Sequence, residues 1–521
     1  MSDSKADDSS VTDSLKPESG PIVHPVLDSR DVDVAAHLIA GKEVVLDPEE
    51  AARIRRKIDW HLMPLMCVLY MMQFADKTTL GQSAVLGLFD GAHINQNQFN
   101  WLNTIFYLFF LAFEYPQNLA LQYLPVGKWM SVNIFVWSVA LMSHAACHNF
   151  GGLFAARAFL GICEGAITPG FMIVTSMFYT RQEQSQRVGY WFLMNGFAIV
   201  MLGLIAFGTL HISGGPLEPW QWLMIIFGII TFIVSVLFWF FFPDSPATAR
   251  FLTPEERVLA VERIKVNQAG LENKHWKKEH LIECLKDPKT WLFFFISAIS
   301  NVTNSLSNQR QIIVKGFGFT VEQTTLFGCV DGAVEILVIL CTVTSATYWK
   351  NGRAYSATLA YAVAILGSIL VNALPNEKFG LLFSYWISVT SIAPFVVVLA
   401  WVGAVTAGHT KRISTNAIVM IGYAVGNSVG SQYWKAKYQP RDHIPWAILS
   451  ACWFSTAVLI MVLRFYLASQ NSLRNNEPHD AKYDNVYVNE KSENGNTEAL
   501  KVDKEFLDLT DIQNRDFRYV L

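Results

Sequence analysis

Charged residues are scarce in this chain: Lys, Arg, Asp and Glu make up 16% of 521 positions, against 52% for hydrophobic residues. The sequence shows no nucleophile paired with a general base, no phosphate-binding glycine loop and no cluster of metal ligands. These absences argue against an enzyme. The net charge of −3 is close to neutral, and we expect no nucleic-acid partner.

The sequence also gives no sign of structural disulfides or of a cleavable targeting signal. Of seven cysteines, six fall in or beside apolar runs and Cys284 falls in a hydrophilic stretch where thiols stay reduced. We therefore expect no structural disulfide, no metal site and no cofactor. No apolar segment lies near Met1, so we expect no cleavable signal peptide.

The hydrophobic residues are gathered in about twelve runs of roughly 20, the length that crosses a bilayer as a helix. Six runs precede residue 243 and six follow residue 290. A soluble protein would have to bury all of these runs in one core. The pattern predicts an all-α membrane protein, with twelve transmembrane helices in two six-helix bundles.

Hydrophilic stretches set the domain boundaries. We predict a disordered cytosolic N-terminal tail (1–55), an N-terminal six-helix bundle (56–243), a cytosolic central loop with an amphipathic helix (244–290), a C-terminal six-helix bundle (291–468) and a cytosolic, disordered C-terminal tail (469–521). Basic residues concentrate in short loops on one side of the predicted spans, which places both termini in the cytosol.

The start of the helix in the central loop has a recognisable sequence. Thr253 is followed by Pro254 and Glu256, a spacing typical of a capped helix N-terminus. Apolar and charged residues then alternate with helical periodicity, which predicts an amphipathic surface helix.

Two pairs of opposite charges interrupt the apolar runs: Asp76 with Lys77 in the first span, and Arg157 with Glu164 in the fourth. A charge near the bilayer centre costs at least ~2.5 kcal/mol, so such residues indicate a site. Seven residues turn a helix through roughly 700°, so Arg157 and Glu164 share a face, with Gly161 between them leaving space for a backbone or a substrate group.

Adjacent residues point roughly 100° apart, so Asp76 and Lys77 serve different partners. One arrangement places Lys77 towards a central cavity and Asp76 towards Arg157. The structural alternative is a buried ion pair that locks two helices together.

These residue types suit the transport of an anion. Lys77 and Arg157 are candidate substrate-binding cations for a carboxylate. Asp76 and Glu164 are candidate proton-coupling groups, because burial favours the neutral carboxylic acid and a nearby arginine favours the carboxylate. A contact with arginine that changes between conformations would take up and release a proton.

Four other charged residues are secondary candidates. Glu114 in the second span has either a structural or a functional role. Asp331 and Glu335 lie four apart on one helix face of the eighth span, and Arg310 near the end of the seventh span is a possible partner. We favour a structural or gating role for this second group.

The span pattern resembles the major facilitator superfamily, whose halves rock around a midplane site. Residues 74–80 (FADKTTL), with Arg157 and Glu164, are similar to the anion:cation symporter family. The resemblance implies roles in substrate binding and proton coupling for these positions. Lys77 replaces the arginine that members of that family carry, and lysine lacks the bidentate fork of arginine.

Within that family the chain resembles the fungal allantoate permease branch. The similarity rests on residues 243–246 (PDSP), 251–257 (FLTPEER), 408–412 (GHTKR) and 508–521 (DLTDIQNRDFRYVL). Val405 stands where many members of the branch carry asparagine. Branch members import various organic anions, so these motifs do not name the substrate.

The resemblance implies a monomeric plasma-membrane importer of a small organic anion (a carboxylate, ureido acid or vitamin-like acid), with the proton as coupling ion. Two alternatives stay open at this point. One is export of an acidic metabolite or transport across the vacuolar membrane. The other is a nutrient sensor that does not transport.

Overall fold

The fold was analysed in a computed structural model, which describes residues 47–212, 215–265, 277–477, 486–491, 497–502 and 509–521. Residues 1–46, most of the predicted N-terminal tail, lie outside this part of the chain. The helices of the first half are α1 (Pro48–Ser83), α2 (Gln96–Tyr123), α3 (Val126–Ser143), α4 (Phe150–Glu164), α5 (Ile167–Phe178), α6 (Arg181–Leu210) and α7 (Pro219–Phe241).

Two shorter helices connect the halves, α8 (Pro254–Lys265) and α9 (Lys278–Lys286). The helices of the second half are α10 (Pro288–Val302), α11 (Ser305–Gly316), α12 (Val321–Tyr348), α13 (Arg353–Ala373), α14 (Lys378–Ser388), α15 (Ala393–Val405), α16 (His409–Gly430) and α17 (His443–Asn475).

Three of the twelve expected spans are each built from two helices: α4 with α5, α10 with α11, and α14 with α15. Eight spans of the described chain are long and apolar enough to cross a membrane. The other four, α1, α2, α10 with α11, and α16, fall below that hydropathy because they carry polar residues. These four line the central cavity described below.

Each half packs its own apolar core. The first core contains Trp137, Trp191 and Trp220, and the second contains Trp401 and Trp446, all almost fully buried. Large apolar side chains also lie on the outer surface, where lipid would solvate them, including Phe240, Leu337, Phe383 and Phe454. The chain is therefore an all-α membrane protein made of two helical bundles.

Glycines bring helices of the two bundles together. A Cβ on Gly332 of α12 would lie 2.5 Å from the carbonyl oxygen of Gly196 in α6, so a side chain there would push the bundles apart. Gly426 on α16 makes a similarly close approach to Ala298 on α10. Gly422 and Gly430, four residues to either side of Gly426, approach Phe294 and Val302 of the same helix. These three glycines therefore pack the second bundle and do not join the two bundles.

Helix α8 of the central connection packs on the first bundle, whereas α9 contacts the second, where Glu283 pairs with Lys411 at 2.9 Å. The predicted start of α8 is confirmed, since Thr253 and Glu256 exchange side-chain to backbone hydrogen bonds. Glu256 also pairs with Lys57 at the beginning of α1, at 2.5 Å. Arg263 donates to the carbonyl of Phe178 at 2.7 Å, which attaches the end of α8 to the end of α5.

The predicted disorder of the C-terminal tail is wrong for residues 509–521. Asp511 is fully buried between Lys289, at 2.5 Å, and Lys411, at 3.0 Å. Tyr519 donates its hydroxyl to Asp511, and Trp401 donates its indole N–H to the carbonyl of Val520. We call this docked segment, residues 509–521, the C-terminal strap.

The polar composition of the tail predicted disorder for the strap. Its few acidic and aromatic side chains have their partners in distant parts of the sequence, which come together only in the folded bundle. Earlier in the tail, strands β1 (Val486–Lys491) and β2 (Thr497–Val502) pair antiparallel. The start of α1, helices α8 and α9, and the strap share one face of the molecule, which we call the tail face.

Candidate functional site

A cavity of about 1840 Å³ separates the two bundles. At its centre it is lined by Tyr70 and Lys77 from the first bundle and by Glu335 and Tyr423 from the second. Residues at the tail-face ends of helices, such as Arg412 at the start of α16, also line it. The cavity therefore opens at the tail face.

Hydrogen bonds between the bundles close the opposite face. Asn103 of α2 donates to the Ser431 hydroxyl and accepts from Asn308, while Thr104 donates to the carbonyl of Ser428 at 2.9 Å. Asn100 donates to the carbonyl of Trp434 in the same layer. We call these seven residues the polar gate, and in this conformation it is shut.

Lys77 and Glu164 form an ion pair at the cavity wall. The first bundle places Lys77 on α1 and Glu164 at the last residue of α4, and their Nζ and Oε2 atoms are 3.2 Å apart. The Glu164 side chain has no exposed surface, whereas that of Lys77 is 19% exposed and lines the cavity. The lysine is thus the member of the pair that a solute reaches.

Asp76 points away from the cavity and bonds to a tryptophan. The indole N–H of Trp137 on α3 donates to one Asp76 oxygen at 2.8 Å, and Thr79 donates to the other at 3.3 Å. One arrangement drawn from the sequence had Asp76 facing Arg157. The two groups interact electrostatically, but no ion pair joins them within the described chain.

Arg157 is buried between the acidic groups without touching them. Its side chain is almost fully buried, and its Nε and Nη2 atoms have no hydrogen-bond partner among the described residues. It interacts electrostatically with Asp76, Glu164 and Tyr107. A Cβ on Gly161 would lie 2.2 Å from the carbonyl oxygen of Phe106, so the space beside that glycine holds backbone and no substrate group.

The two acids of the first bundle are neighbours. Asp76 and Glu164 interact electrostatically, and neither carboxylate oxygen of Glu164 has a hydrogen-bond partner among the described residues. Repulsion between two buried carboxylates favours a state in which one of the two carries a proton. The pair, with Lys77 and Arg157 beside it, is a group that can hold one proton in a buried place.

The second bundle has a comparable arrangement. The Nε atom of Arg310 on α11 lies 2.6 Å from Asp331 on α12, and the indole of Trp386 donates to the other Asp331 oxygen. An aspartate is thus associated with a tryptophan and an arginine in each bundle. Glu335, one turn after Asp331, is almost fully buried, and its Oε1 atom has no hydrogen-bond partner in the described part of the chain.

Glu114 stands apart from both groups. It lies on α2, lines the cavity and is partly buried. Its carboxylate forms no hydrogen bond or ion pair with other described residues. The geometry brings Asp76, Lys77, Arg157 and Glu164 together and leaves Glu114 outside that group.

Sequence reasoning missed the aromatic partners. Trp137 and Trp386 bond to the two aspartates, and Tyr107 contacts Tyr423 across the bundles with ring centroids 5.9 Å apart. A buried tryptophan N–H needs an acceptor, so tryptophans in spans next to a buried aspartate were a usable signal. Which tryptophan meets which aspartate depends on tertiary contacts.

Two helical bundles, a cavity open to one face and buried charges at its centre define a multi-pass membrane transporter. The profile of the Major Facilitator Superfamily matches residues 66–431. The chain belongs to that superfamily and to its fungal allantoate permease-like branch.

The chain is similar along most of its length to other fungal transporters. The allantoate permease of Saccharomyces cerevisiae is 32% identical, over 95% of this chain and 91% of that protein. An uncharacterized transporter of Schizosaccharomyces pombe is 34% identical, over 91% and 85%. The xylose transporter XylE from E. coli, solved in an inward-open conformation, shares the fold with a TM-score of 0.60 at 10% identity, over 77% of this chain and 95% of that one.

Proposed function

We propose that the protein is a proton-coupled symporter that moves a small organic anion by alternating access. The observation that carries the proposal is the ion pair between Lys77 and Glu164 at the wall of the cavity. The similarity to an allantoate permease supports an anionic substrate. Other relatives are named a thiamine pathway transporter and a high affinity cysteine transporter, so the branch alone does not fix the compound.

The coupling follows from competition for Lys77. An anion that binds the lysine must replace Glu164, and a buried carboxylate left without its partner costs about 3–5 kcal/mol. Protonation of Glu164 removes that charge and frees the lysine. Proton binding and anion binding are therefore linked and favour each other.

Release reverses the same steps. When Glu164 loses its proton, the carboxylate attracts Lys77 again and displaces the anion. Asp76, next to Glu164, offers a second position for the proton, and Arg157 keeps a fixed positive charge beside both acids. The arrangement stores the proton where bulk water does not reach it directly.

The orientation completes the proposal. With the termini in the cytosol of a cell whose plasma membrane holds the protein, the open tail face is the side of release. The shut polar gate then separates the cavity from the outside. Uptake requires this gate to open while the tail-face ends of the bundles close.

The test is uptake of radiolabelled carboxylates and ureido acids by cells expressing the protein, with and without a protonophore. We expect one or more compounds to accumulate, and the protonophore to abolish accumulation. Glu164→Gln should abolish accumulation and retain exchange of internal for external substrate. Lys77→Ala should abolish both.

Matched controls are Glu322→Gln and Lys315→Ala, two exposed positions outside the cavity lining. Both should behave like the unmodified protein. Full proton-driven accumulation by Glu164→Gln would remove Glu164 from the coupling step, and unchanged anion affinity in Lys77→Ala would remove the lysine from recognition.

A further inference from the structure

The second bundle presents a carboxylate that the coupling step does not use. Glu335 of α12 lines the cavity and is 1% exposed, and its Oε1 atom has no hydrogen-bond partner among the residues described. Buried polar atoms are nearly always bonded, and an exception in a cavity wall indicates a missing ligand. Water or a solute in the cavity would supply that partner.

The neighbouring groups do not neutralise Glu335. Arg310 is engaged by Asp331 at 2.6 Å, and Asp331 also accepts from Trp386. Arg310 and Asp331 also interact electrostatically with Glu335, as do the hydroxyls of Tyr70 and Tyr385. Arg310 thus faces two acids, Asp331 and Glu335, and is bonded to the first of them.

That carboxylate faces the same space as the anion-binding lysine. Tyr70 on α1 interacts electrostatically with Glu164 of the first bundle and with Glu335 of the second. Tyr70 and Lys77 are seven residues apart, so they share a face of α1 at about 10 Å along its axis. Lys77, Tyr70 and Glu335 all line the same cavity, so a small molecule held by its carboxylate at Lys77 has its other end in the space that Glu335 faces.

We propose that Glu335 accepts a hydrogen bond from an N–H group of the substrate, at the end opposite its carboxylate. Among the small organic anions of the proposed function, those with an N–H group at the far end, such as a ureido, amide or amino nitrogen, would satisfy this acceptor. Lys77 binds the acid end and Glu335 selects the nitrogen end. This inference rests on the proposed anion transport and deepens it.

The cost of an unbonded buried acceptor favours a substrate with a carboxylate at one end and an N–H group at the other. A site that leaves a buried acceptor unbonded when the wrong substrate enters discriminates strongly against that substrate. A carboxylic acid with an alkyl group at the far end would leave Glu335 desolvated and unpaired. A ureido acid would satisfy it without adding a second charge.

Two probes of nearly identical shape isolate this contact. N-carbamoylglycine has two N–H-bearing nitrogens, and 4-oxopentanoate has a methyl and a methylene group in their places. We would measure binding of both to the purified full-length protein in proteoliposomes. We expect roughly tenfold or stronger preference for N-carbamoylglycine, from one hydrogen bond to a charged acceptor.

The variants are Glu335→Leu and Glu335→Gln, with Glu322→Gln on the same helix as the matched control. Glu335→Leu should lose the preference because N-carbamoylglycine binds more weakly while 4-oxopentanoate binds unchanged or better. Glu335→Gln keeps an acceptor oxygen and should retain part of the preference. Size-exclusion chromatography of each variant verifies that it is folded.

Three results would overturn the inference. In the first, both variants keep the full preference. In the second, both probes weaken equally, as expected if Glu335 only organises Arg310. In the third, the unmodified protein binds both probes equally through Lys77. That result would be consistent with anion binding at Lys77 and would contradict a preference for an N–H group at Glu335. Absence of any Lys77-dependent binding of either probe would overturn the proposed function as well.

Discussion

Removing the Asp511 carboxylate should detach the C-terminal strap and destabilise the second bundle. Asp511 is fully buried against Lys289 and Lys411, and Asp511→Asn leaves Lys289 with Asp287 at 3.6 Å as its nearest described acid. Breaking a buried ion pair costs about 3–5 kcal/mol when the remaining charge is left unpaired, and the longer contact with Asp287 offsets part of that loss.

A double-mutant cycle tests that magnitude. Lys289→Met removes the cation from the same pair, so the double variant lacks one charge of each sign and leaves neither partner stranded. We expect the double variant to be more stable than the sum of the single effects by about 2 kcal/mol. Asp516→Asn, an exposed position in the strap, is the control and should have little effect.

The assay has a global and a local readout. Thermal unfolding of the purified full-length protein compares the stability of the unmodified protein, the two single variants and the double variant. Trypsin cleavage after Arg515 and Arg518 reports release of the strap. Cleavage should be much faster in Asp511→Asn than in the control. Additive shifts in melting temperature, or cleavage at the unmodified rate, would refute the reasoning.

The pH dependence of the strap follows from the same contacts. Burial alone would raise the pKa of the Asp511 carboxyl, but Lys289, Lys411 and the Tyr519 hydroxyl outweigh it and hold the pKa below its ordinary value. A lowered pKa gives stability that is present above about pH 4, the unfolded value, and is lost only below it. The cycle should therefore give the same result at pH 5 and pH 7.5.

Three further predictions concern loops and gates. Burial raises the pKa of Asp442 to about 6, so the folded state loses stability as the pH rises from about 4, the unfolded value, to about 6, and Asp442→Asn should raise the melting temperature by about 2 °C at pH 7.5 and much less at pH 4. Asn103→Leu removes two bonds of the polar gate, worth about 1 kcal/mol each, and should speed labelling of a Ser428→Cys variant from the outside roughly tenfold or more. Gly332→Val would clash with the carbonyl of Gly196, so transport should fall sharply while expression persists; unchanged transport would contradict that contact.

Hydropathy predicted the arrangement of spans, because crossing a bilayer requires long apolar helices whatever their neighbours are. Helix breaks were not predicted. The fourth span divides at Gly165 and Ala166, and the seventh divides at Thr303 and Asn304. Such short interruptions leave the apolar run intact, so composition does not reveal them.

The sequence predicted which residues make up the candidate site, but it predicted only some of the contacts between them. Sequence spacing brought Arg157 and Glu164 to one helix face, and both lie in the charged group. It did not reveal that Glu164 pairs with Lys77 or that Trp137 bonds to Asp76. Those contacts join different helices, and their geometry depends on how α1, α3 and α4 pack.

The four spans of low hydropathy have a consequence for biosynthesis. The spans α1, α2, α10 with α11, and α16 owe their low hydropathy to polar residues, many of which line the cavity, and a segment with such residues partitions poorly into lipid by itself. Helix α1 is synthesised before α3, so its Asp76 enters the membrane before the tryptophan that will bond to it exists. Nascent α1 must therefore be retained by the insertion machinery or by its neighbours until the first bundle assembles, and the chemistry of transport sets the order in which the protein can be built.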